Sequence, residues 1–291
     1  MGQNFKMHWL AFILIAPQII ITIIFFLWPA ITALLQSLYQ GDAFGISQRF
    51  SGFDNFIDLL KDPAYLKAIS TTLVFNTLVT LLALSSGLFV ALLVNATVKS
   101  QAFYKSFYIW PYAVAPAVAG ILWRFLFNPA IGWVSYLANL MGFEFNYILH
   151  PGQALFVVVI AASWQQFSYN FLFFFASLQA IPKSLLEAGM IDGANAWQRF
   201  WHIIFPLLSP TTFFLLVINV IYAFFDTFGI IQVMTRGGPG NSTSTLVYKV
   251  YNDGFIGLDL GSSAAQSVIL MVIVIGLTVI QFKYIDKKVV Y

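Results

Sequence analysis

The sequence predicts an all-α integral membrane protein with six transmembrane helices, and two observations lead to this prediction. Of its 291 residues, 60% are hydrophobic and only 9% are charged, whereas a soluble domain carries about 25% charged residues. In addition, six stretches have the length of roughly 20 apolar residues that a helix needs to cross a bilayer. These predicted spans are residues 9–36, 70–96, 103–127, 154–178, 207–234 and 264–285.

Nothing in the composition marks a second domain or a reactive centre. No tandem repeat or low-complexity run divides the chain, so we expect a single transmembrane domain over residues 1–291. The absence of cysteine excludes disulfides and thiolate chemistry. The three histidines are scattered, and neither a phosphate-binding lysine loop nor an HExxH motif occurs. The sequence therefore predicts no metal site, no catalytic residue and no cofactor in this chain.

The distribution of charge predicts that both termini are cytoplasmic. With the N-terminus inside, the cytoplasmic side carries eight basic and three acidic residues, a net charge of +5. The other side carries six basic and seven acidic residues, a net charge of −1, and Asp226 lies within the fifth predicted span. An excess of lysine and arginine marks the cytoplasmic side of membrane proteins.

Three loops on the outer side are longer than simple turns. Residues 37–69 include apolar side chains at helical spacing over 53–60, which predicts a short amphipathic helix at the membrane interface. Residues 128–153 and 235–263 contain proline and glycine breakers. The stretch TRGGPG at the start of the last loop predicts a sharp turn.

The segment SLLEAGMIDGANAWQRFWHIIFPLL, residues 184–208, concentrates polar side chains between two apolar spans. Pro182 suits a first helical position, and Gly193 suits the left-handed residue that ends a helix. Asn195 and Gln198 have the spacing of a capping box for a second helix. The sequence thus predicts two short helices around a glycine corner. They fit either an amphipathic loop at the interface or a docking element for a cytoplasmic partner.

The spacing within this segment resembles the EAA loop of ABC importer permeases. That pattern is Glu-Ala-Ala, three residues, Gly, nine residues, Ile, one residue, Leu and Pro, and this chain matches it from Glu187 to Pro206. Gly189 replaces the second alanine, and Phe205 replaces the leucine. The stretch TRGGPGNSTSTLVYKVY resembles the external loop of the carbohydrate-uptake (maltose-type) members of the family. Within that group, stretches such as WPYAVAPAVAGILWRFLFNP and VIYAFFDTFGII resemble the A-type permeases of bacterial sn-glycerol-3-phosphate importers.

The resemblance implies a type I ABC importer permease fold in a bacterial plasma (inner) membrane and no ATPase site in this chain. The implied partners are a second homologous permease, two copies of a cytoplasmic ATPase that bind ATP and Mg, and an extracytoplasmic substrate-binding protein. The implied substrate is sn-glycerol 3-phosphate or a glycerophosphodiester, with a neutral sugar or oligosaccharide as the alternative. The implied ATPase-coupling residues are Glu187, Ala188, Gly189, Asp192, Gly193 and Pro206. Asp192, like Arg199, fits either a rim contact or a solvated charge.

Polar residues inside membrane spans are costly, so they are candidates for a transport pathway. Asn219, Tyr222 and Asp226 follow i, i+3 and i+7 spacing and share a helix face. Gln165 and Tyr169 share a face of the fourth predicted span. By resemblance to the maltose-type relatives, these five residues line the substrate pathway. The alternative for each is an interhelical hydrogen bond.

Asp226 conflicts with a phosphorylated substrate, because a phosphate monoester carries about −1.5 to −2 charges near neutral pH. We expect Asp226 to bind a cation or a hydroxyl, or to pair with a basic residue of the second permease. Arg124 is a further candidate counter-charge, although its position also suits snorkelling to the interface. Pro111 and Pro116 interrupt the third span and form either a gating hinge or a static bend.

Two other classes of function fit the sequence less well. An ion-coupled secondary transporter predicts two related halves with broken helices in corresponding positions, and the sequence shows no such pairing. A membrane-embedded enzyme needs His, Asp or Ser groups that converge at one depth, which the scattered histidines do not provide. Uptake energised by ATP rather than by an ion gradient separates the importer from the secondary transporter.

Overall fold

A computed structural model describes residues 8–41, 48–96 and 101–285. The chain forms two compact units. Among the described residues, those up to Asp62 and Val250–Met271 belong to one unit, and those between Pro63 and Lys249 and from Val272 onward belong to the other. The described α-helices are α1 (His8–Thr22), α2 (Trp28–Gln36), α3 (Asp54–Lys61), α4 (Pro63–Ala96), α5 (Gln101–Ile109), α6 (Pro116–Leu126), α7 (Trp133–Leu140), α8 (Pro151–Ala180), α9 (Lys183–Ile191), α10 (Ala196–Arg199), α11 (Phe205–Leu207), α12 (Ser209–Phe225), α13 (Phe228–Met234), α14 (Leu246–Tyr251) and α15 (Leu260–Ile280).

Several of these helices are continued by turns of different pitch. Short π-helical stretches occur at Ile23–Leu27, Phe200–Ile204, Asn252–Ile256 and Gln281–Ile285, and a 3₁₀ turn occurs at Trp110–Ala113. Single π turns and 3₁₀ turns mark places where the regular helical hydrogen bonding is interrupted.

The described residues are predominantly helical, as predicted, and the first unit adds a short β-hairpin that the sequence did not predict. β1 (Tyr39–Gly41) pairs antiparallel with β2 (Gln48–Phe50), and the rings of Tyr39 and Phe50 lie 5.5 Å apart. The Asn55 amide on α3 donates to the backbone oxygens of Ser37 and Tyr39 at 2.9 and 3.0 Å. It therefore fixes α3, a helix that the spacing over 53–60 predicted, beside the hairpin. Three-residue strands are too short to show an alternating pattern in sequence.

Among the described residues, four helices are long and apolar enough to cross a membrane, namely Ile13–Gln36, Pro63–Ala96, Pro151–Ala180 and Leu260–Lys283. They coincide with the first, second, fourth and sixth predicted spans. The other two predicted spans are sharply bent.

Ala102–Ala113 meets Pro116–Leu126 at 99°, and Ala196–Leu207 meets Ser209–Phe225 at 67°. Counting each bent pair as one span gives up to six. The fifth predicted span, 207–234, is also interrupted a second time at Asp226 and Thr227, between α12 and α13.

The second unit is built on close packing between α4 and α8. Ala83, Gly87 and Ala91 recur every four residues on α4, and all three are buried. Small residues at this spacing let membrane helices approach closely. A Cβ atom on Gly87 would lie 2.6 Å from the Cβ of Asn170 on α8. The absence of a side chain at Gly87 therefore sets the distance between these two helices.

The helices α6 and α13 are parallel neighbours in the same unit. A Cβ on Gly229 would lie 3.2 Å from the Ala117 nitrogen, and a Cβ on Gly120 would lie 3.2 Å from the Ile230 Cα. Further along both helices, Arg124 Nη1 donates to the Val233 oxygen at 3.1 Å. The contacts advance in the same direction on α6 and α13, so the two helices begin together and end together.

The long loops contain more structure than their breakers suggested. The predicted sharp turn is present, because Arg236, Gly237 and Gly240 have positive φ angles of 52°, 78° and 55°. However, α7 forms within residues 128–153, and α14 forms within 235–263. Both are short helices of eight residues or fewer, and the proline and glycine residues around them concealed their periodicity.

The packing of α4 against α8 gives a test of the fold. We expect Gly87→Ala to lower the thermal unfolding midpoint of the detergent-solubilised protein, because overpacking costs about 1–3 kcal/mol. Gly276→Ala is the matched control, because a Cβ there meets nothing within 4 Å. The control is expected to be neutral or slightly stabilising, since alanine favours helix by roughly 0.5–1 kcal/mol over glycine. Equal midpoints for both variants would show that the helix contact does not depend on Gly87.

Candidate functional site

The segment from Pro182 to Pro206 folds as two helices joined at a glycine corner, as the sequence predicted. Gly193 adopts a left-handed φ of +82°. Its N–H donates to the Met190 oxygen at 3.1 Å, and the Ala194 N–H donates to the Gly189 oxygen at 2.9 Å. Together these bonds form a Schellman motif, which satisfies the last carbonyl groups of α9.

The second helix of this segment begins with a complete capping box. The Asn195 side-chain oxygen accepts from the Gln198 N–H, and the Gln198 side-chain oxygen accepts from the Asn195 N–H, both at 2.9 Å. Arg199 Nη1 donates to the Ala194 oxygen at 2.6 Å. This guanidinium is therefore engaged in closing the corner. The helix then continues through α11 to the bend after Leu207.

Gly189 is buried where α9 packs on the second helix. A Cβ at this position would lie 2.8 Å from Ile203 Cδ1 and 3.6 Å from Arg199 Cγ and Cδ. Glycine in place of the alanine of the family pattern thus permits a closer approach of the two helices. In this chain the second alanine position and the isoleucine position of that pattern are therefore packing partners.

The remaining residues of the segment present an exposed surface. Glu187, Ala188, Asp192 and Gly193 are exposed, while Pro206 is half-buried in α11. Apolar side chains of the segment are exposed as well, most of all Ile191 at 86% and Trp197 at 69%. A surface of apolar side chains around the carboxylates of Glu187 and Asp192 is suited to a protein partner.

A cavity of about 630 Å³ lies in the second unit, beside the break between the 3₁₀ turn Trp110–Ala113 and α6 and the break between α12 and α13. One wall is the chain between α5 and α6, from Tyr112 to Pro116, and another is the end of α12. We call it the central cavity. Four of the five predicted pathway residues line it, namely Gln165, Tyr169, Tyr222 and Asp226. The sequence did not identify Tyr112 or the backbone of Val114, although Pro111 and Pro116 marked the break on which both lie.

Gln165 holds the broken chain against α8. Its Nε2 donates to the Val114 oxygen, a carbonyl that the interruption after the 3₁₀ turn leaves without a helical partner. Its Oε1 accepts from the Tyr222 hydroxyl at 3.2 Å, and the same hydroxyl lies 3.1 Å from the Ala162 oxygen. Both ends of the Gln165 amide are therefore used to fix the wall of the central cavity.

Tyr169 and Asp226 contribute differently to the central cavity. The Tyr169 ring packs on Tyr112 at 5.6 Å between centroids. The Asp226 backbone N–H caps α12 by donating to the Tyr222 oxygen at 2.9 Å. Asp226 is the single charged residue among the described residues that line this cavity. Arg124, considered above as its counter-charge, instead lines a different cavity at the far end of α6.

Asn219, the fifth predicted pathway residue, does not line the central cavity among the residues described. It is fully buried and exchanges side-chain hydrogen bonds of 2.9 and 2.6 Å with Asn170 on α8. This placement corresponds to the alternative of an interhelical hydrogen bond.

Asn219 and Asn170 form the middle of three polar contacts between α12 and α8. Ser177 and Thr211 lie 2.7 Å apart toward the 182–206 segment, and Tyr222 contacts Gln165 toward the central cavity. We call this series the α8–α12 polar ladder. It connects the two candidate regions of the chain along one helix pair.

The described residues contain no cluster of three or more His, Asp or Glu side chains that could bind a metal ion.

Comparisons with known sequences identify the family of the chain. Residues 83–291 match the family described as binding-protein-dependent transport system inner membrane component. The sn-glycerol-3-phosphate transport system permease protein UgpA of Rhizobium meliloti (strain 1021) is 56% identical over 97% of this chain and 96% of its own length. The protein of the same name from Escherichia coli (strain UTI89 / UPEC) is 53% identical over 99% of this chain and 97% of its own.

Solved structures share the fold at lower identity. A bacterial ABC transporter involved in the import of the acidic polysaccharide alginate matches 97% of this chain and 98% of its own, with a TM-score of 0.80 and 22% identity. The bacterial alginate ABC transporter in complex with an alginate pentasaccharide-bound periplasmic protein has a TM-score of 0.81 and 21% identity over 96% of this chain and 94% of its own. The structural matches confirm the predicted importer fold, and the family match and the sequence relatives confirm the inner-membrane location. The chain belongs to the family of inner-membrane components of binding-protein-dependent transport systems, the permeases of ABC importers.

Proposed function

We propose that this chain is the permease subunit of an ATP-driven importer that moves sn-glycerol 3-phosphate or glycerophosphodiesters inward by alternating access. The observation that carries the proposal is the exposed segment 182–206, whose glycine corner presents Glu187 on a rigid pair of helices. The identity of 53–57% to permeases named for sn-glycerol 3-phosphate supports this substrate class.

The 182–206 segment is connected at both ends to helices that line the central cavity. It follows α8 directly, and α12 begins directly after it, so both of its ends continue into helices that hold the cavity wall. The α8–α12 polar ladder joins these helices at three levels. A displacement of the segment is thus expected to move α8 and α12 together, and with them Gln165 and Tyr222.

The proposal includes the partners that such a permease needs. A second, homologous permease completes the pathway, two copies of an ATPase bind ATP and Mg, and an extracytoplasmic binding protein delivers the substrate. The net charges of +5 and −1 on the two sides favour cytoplasmic termini and a cytoplasmic 182–206 segment. In this arrangement Glu187, Ala188, Gly189, Asp192, Gly193 and Pro206 form or shape the surface that meets the ATPase.

A neutral sugar or oligosaccharide is the second candidate substrate. The specific observation in its favour is Asp226, because a carboxylate suits sugar hydroxyls and opposes a phosphate in the central cavity. Transport assays with the cognate binding protein decide between the two. The loaded binding protein is expected to drive uptake of sn-glycerol 3-phosphate, and uptake of a neutral sugar alone would favour the second candidate.

Charge reversal at Glu187 tests the docking surface. We expect Glu187→Arg to reduce ATP-driven uptake in proteoliposomes by at least about tenfold, equivalent to ~1.4 kcal/mol or more of lost coupling. ATP hydrolysis stimulated by the binding protein should fall in parallel, because the altered charge disturbs the contact with the ATPase. Glu144→Arg is the matched control, since Glu144 is also exposed but lies in the 128–153 loop. Normal coupled hydrolysis and uptake in the Glu187 variant would remove the docking role.

Neutralisation of Asp226 tests the central cavity. A hydrogen bond to a charged group contributes about 1.5–3 kcal/mol, so we expect Asp226→Asn to slow maximal uptake by about tenfold or more. Binding-protein-stimulated ATP hydrolysis should persist, because the docking surface is unchanged. Asp58→Asn, an exposed aspartate on α3, provides the control. Undiminished uptake by the Asp226 variant would exclude this carboxylate from the substrate pathway.

A further inference from the structure

A second cavity, of about 310 Å³, lies in the second unit away from the central cavity. Its described lining includes Arg124 at the end of α6, Tyr147 and Ile148 from the 128–153 loop, and Arg236 and Pro239 from the TRGGPG turn. No carboxylate side chain occurs among the described lining residues. We call it the arginine cavity.

The two cavities lie at opposite ends of the same helix pair. Pro116 and Asp226, at the beginnings of α6 and α13, line the central cavity, while Arg124 and Arg236, at their ends, line the arginine cavity. The eight residues from Pro116 to Arg124 correspond to roughly 12 Å along the helix axis. A ligand that moves along α6 and α13 therefore passes from one cavity to the other.

Arg124 is held in place by groups that leave part of its guanidinium available. Nη1 donates to the Val233 oxygen at 3.1 Å. The Tyr147 hydroxyl is next to the guanidinium; burial raises the pKa of Tyr147 above its ordinary value, and Arg124 opposes the increase. An arginine has five N–H donors in a planar fork, so these contacts leave donors for a ligand in the cavity.

Arg236 is presented by a turn with a dense set of internal hydrogen bonds. Its backbone N–H donates to the Ile231 oxygen at 2.9 Å, and its φ of +52° places it in the left-handed region. Thr235 and Thr243 lie 2.7 Å apart through their hydroxyls, and Thr243 also donates to the Gly238 oxygen at 3.0 Å. The turn is therefore ordered before any ligand arrives.

The chemistry of this cavity matches a phosphate monoester. Arginine binds phosphate through paired N–H donors, and two guanidinium groups neutralise a charge of about −1.5 to −2. The central cavity has the opposite character, since its single charged group among the described lining residues is the Asp226 carboxylate. For a phosphorylated polyol, the groups that suit the phosphate are thus in the arginine cavity, and the group that suits the hydroxyls is in the central cavity.

We propose that the arginine cavity is an anion site that binds the phosphate group of the incoming substrate through Arg124 and Arg236, before the hydroxyl-bearing end reaches the central cavity. This inference rests on the proposed function and specifies how a permease with an acidic central cavity accepts a dianion. In the proposed orientation the cavity opens on the outer side, where the binding protein releases substrate.

Uptake by the complete importer provides the first test. In proteoliposomes, Arg124→Gln combined with Arg236→Gln is expected to lower maximal uptake of sn-glycerol 3-phosphate by at least about tenfold, the effect of ~1.4 kcal/mol. The binding-protein concentration for half-maximal ATPase stimulation should stay unchanged. Arg236→Lys should retain part of the rate, and Arg49→Gln, an exposed arginine on β2, should retain all of it.

Chemical protection provides the second test and does not depend on transport. Inorganic phosphate and sn-glycerol 3-phosphate are each expected to slow modification of Arg124 and Arg236 by an arginine-specific dicarbonyl reagent, read by mass spectrometry. Glycerol should not protect these residues, and no ligand should protect Arg49.

The outcomes separate the inference from the proposed function. If the unmodified importer does not transport sn-glycerol 3-phosphate with ATP, the proposed function is wrong. If it does, but the double variant is equally fast and phosphate gives no protection, the anion site is wrong and the function stands. If the double variant regains full uptake only at a higher concentration of binding protein, the arginines contact that protein, and the anion site is again wrong.

Discussion

The α8–α12 polar ladder is the interaction on which the rest of this structure depends. Hydrogen bonds between polar side chains of neighbouring helices contribute to association in lipid, where no water competes for them. Ser177 with Thr211, Asn170 with Asn219 and Gln165 with Tyr222 join the two helices from the 182–206 segment to the central cavity. The 17 residues of α12 span roughly 25 Å at the rise of an α-helix. Because the ladder joins α8 and α12 at three levels, we expect the two helices to move together over this distance.

The lack of water in the lipid also explains where the helices are broken. Irregular backbone at membrane depth is tolerated only where protein groups satisfy it or where it lines a water-filled cavity. The break after the 3₁₀ turn Trp110–Ala113 meets both conditions, because Gln165 donates to the Val114 oxygen and the chain lines the central cavity. The break at Asp226 lines the same cavity. The break between the 3₁₀ turn and α6 and the break between α12 and α13 are therefore part of the site, whereas the described lining of the cavity does not include the bend between Leu207 and Ser209.

The sequence predicted the parts of the molecule that depend on local chemistry. The corner at Gly193 and the capping box at Asn195 are set by φ preference and by side chains three residues apart, so they could be recognised in the sequence. The role of Asn219 could not, because its helix face also carries cavity residues and its partner Asn170 lies on another helix. The arginine cavity was missed because its residues come from parts of the chain that are distant in sequence. The β-hairpin was missed because strands of three residues are too short to show an alternating pattern.

Thiol labelling tests the central claim most directly, because the chain has no cysteine of its own. Ile221→Cys places one thiol in the lining of the central cavity, and Ile275→Cys places one on an exposed face of α15. With a membrane-impermeant maleimide applied to the assembled importer, the thiol at position 221 should react at a rate that changes between the nucleotide-free and ATP-bound states. Asn170→Leu with Asn219→Leu should remove this dependence on nucleotide. A thiol at position 221 that reacts no faster than that at 275, or identically in both states, would contradict the coupling of segment, ladder and cavity.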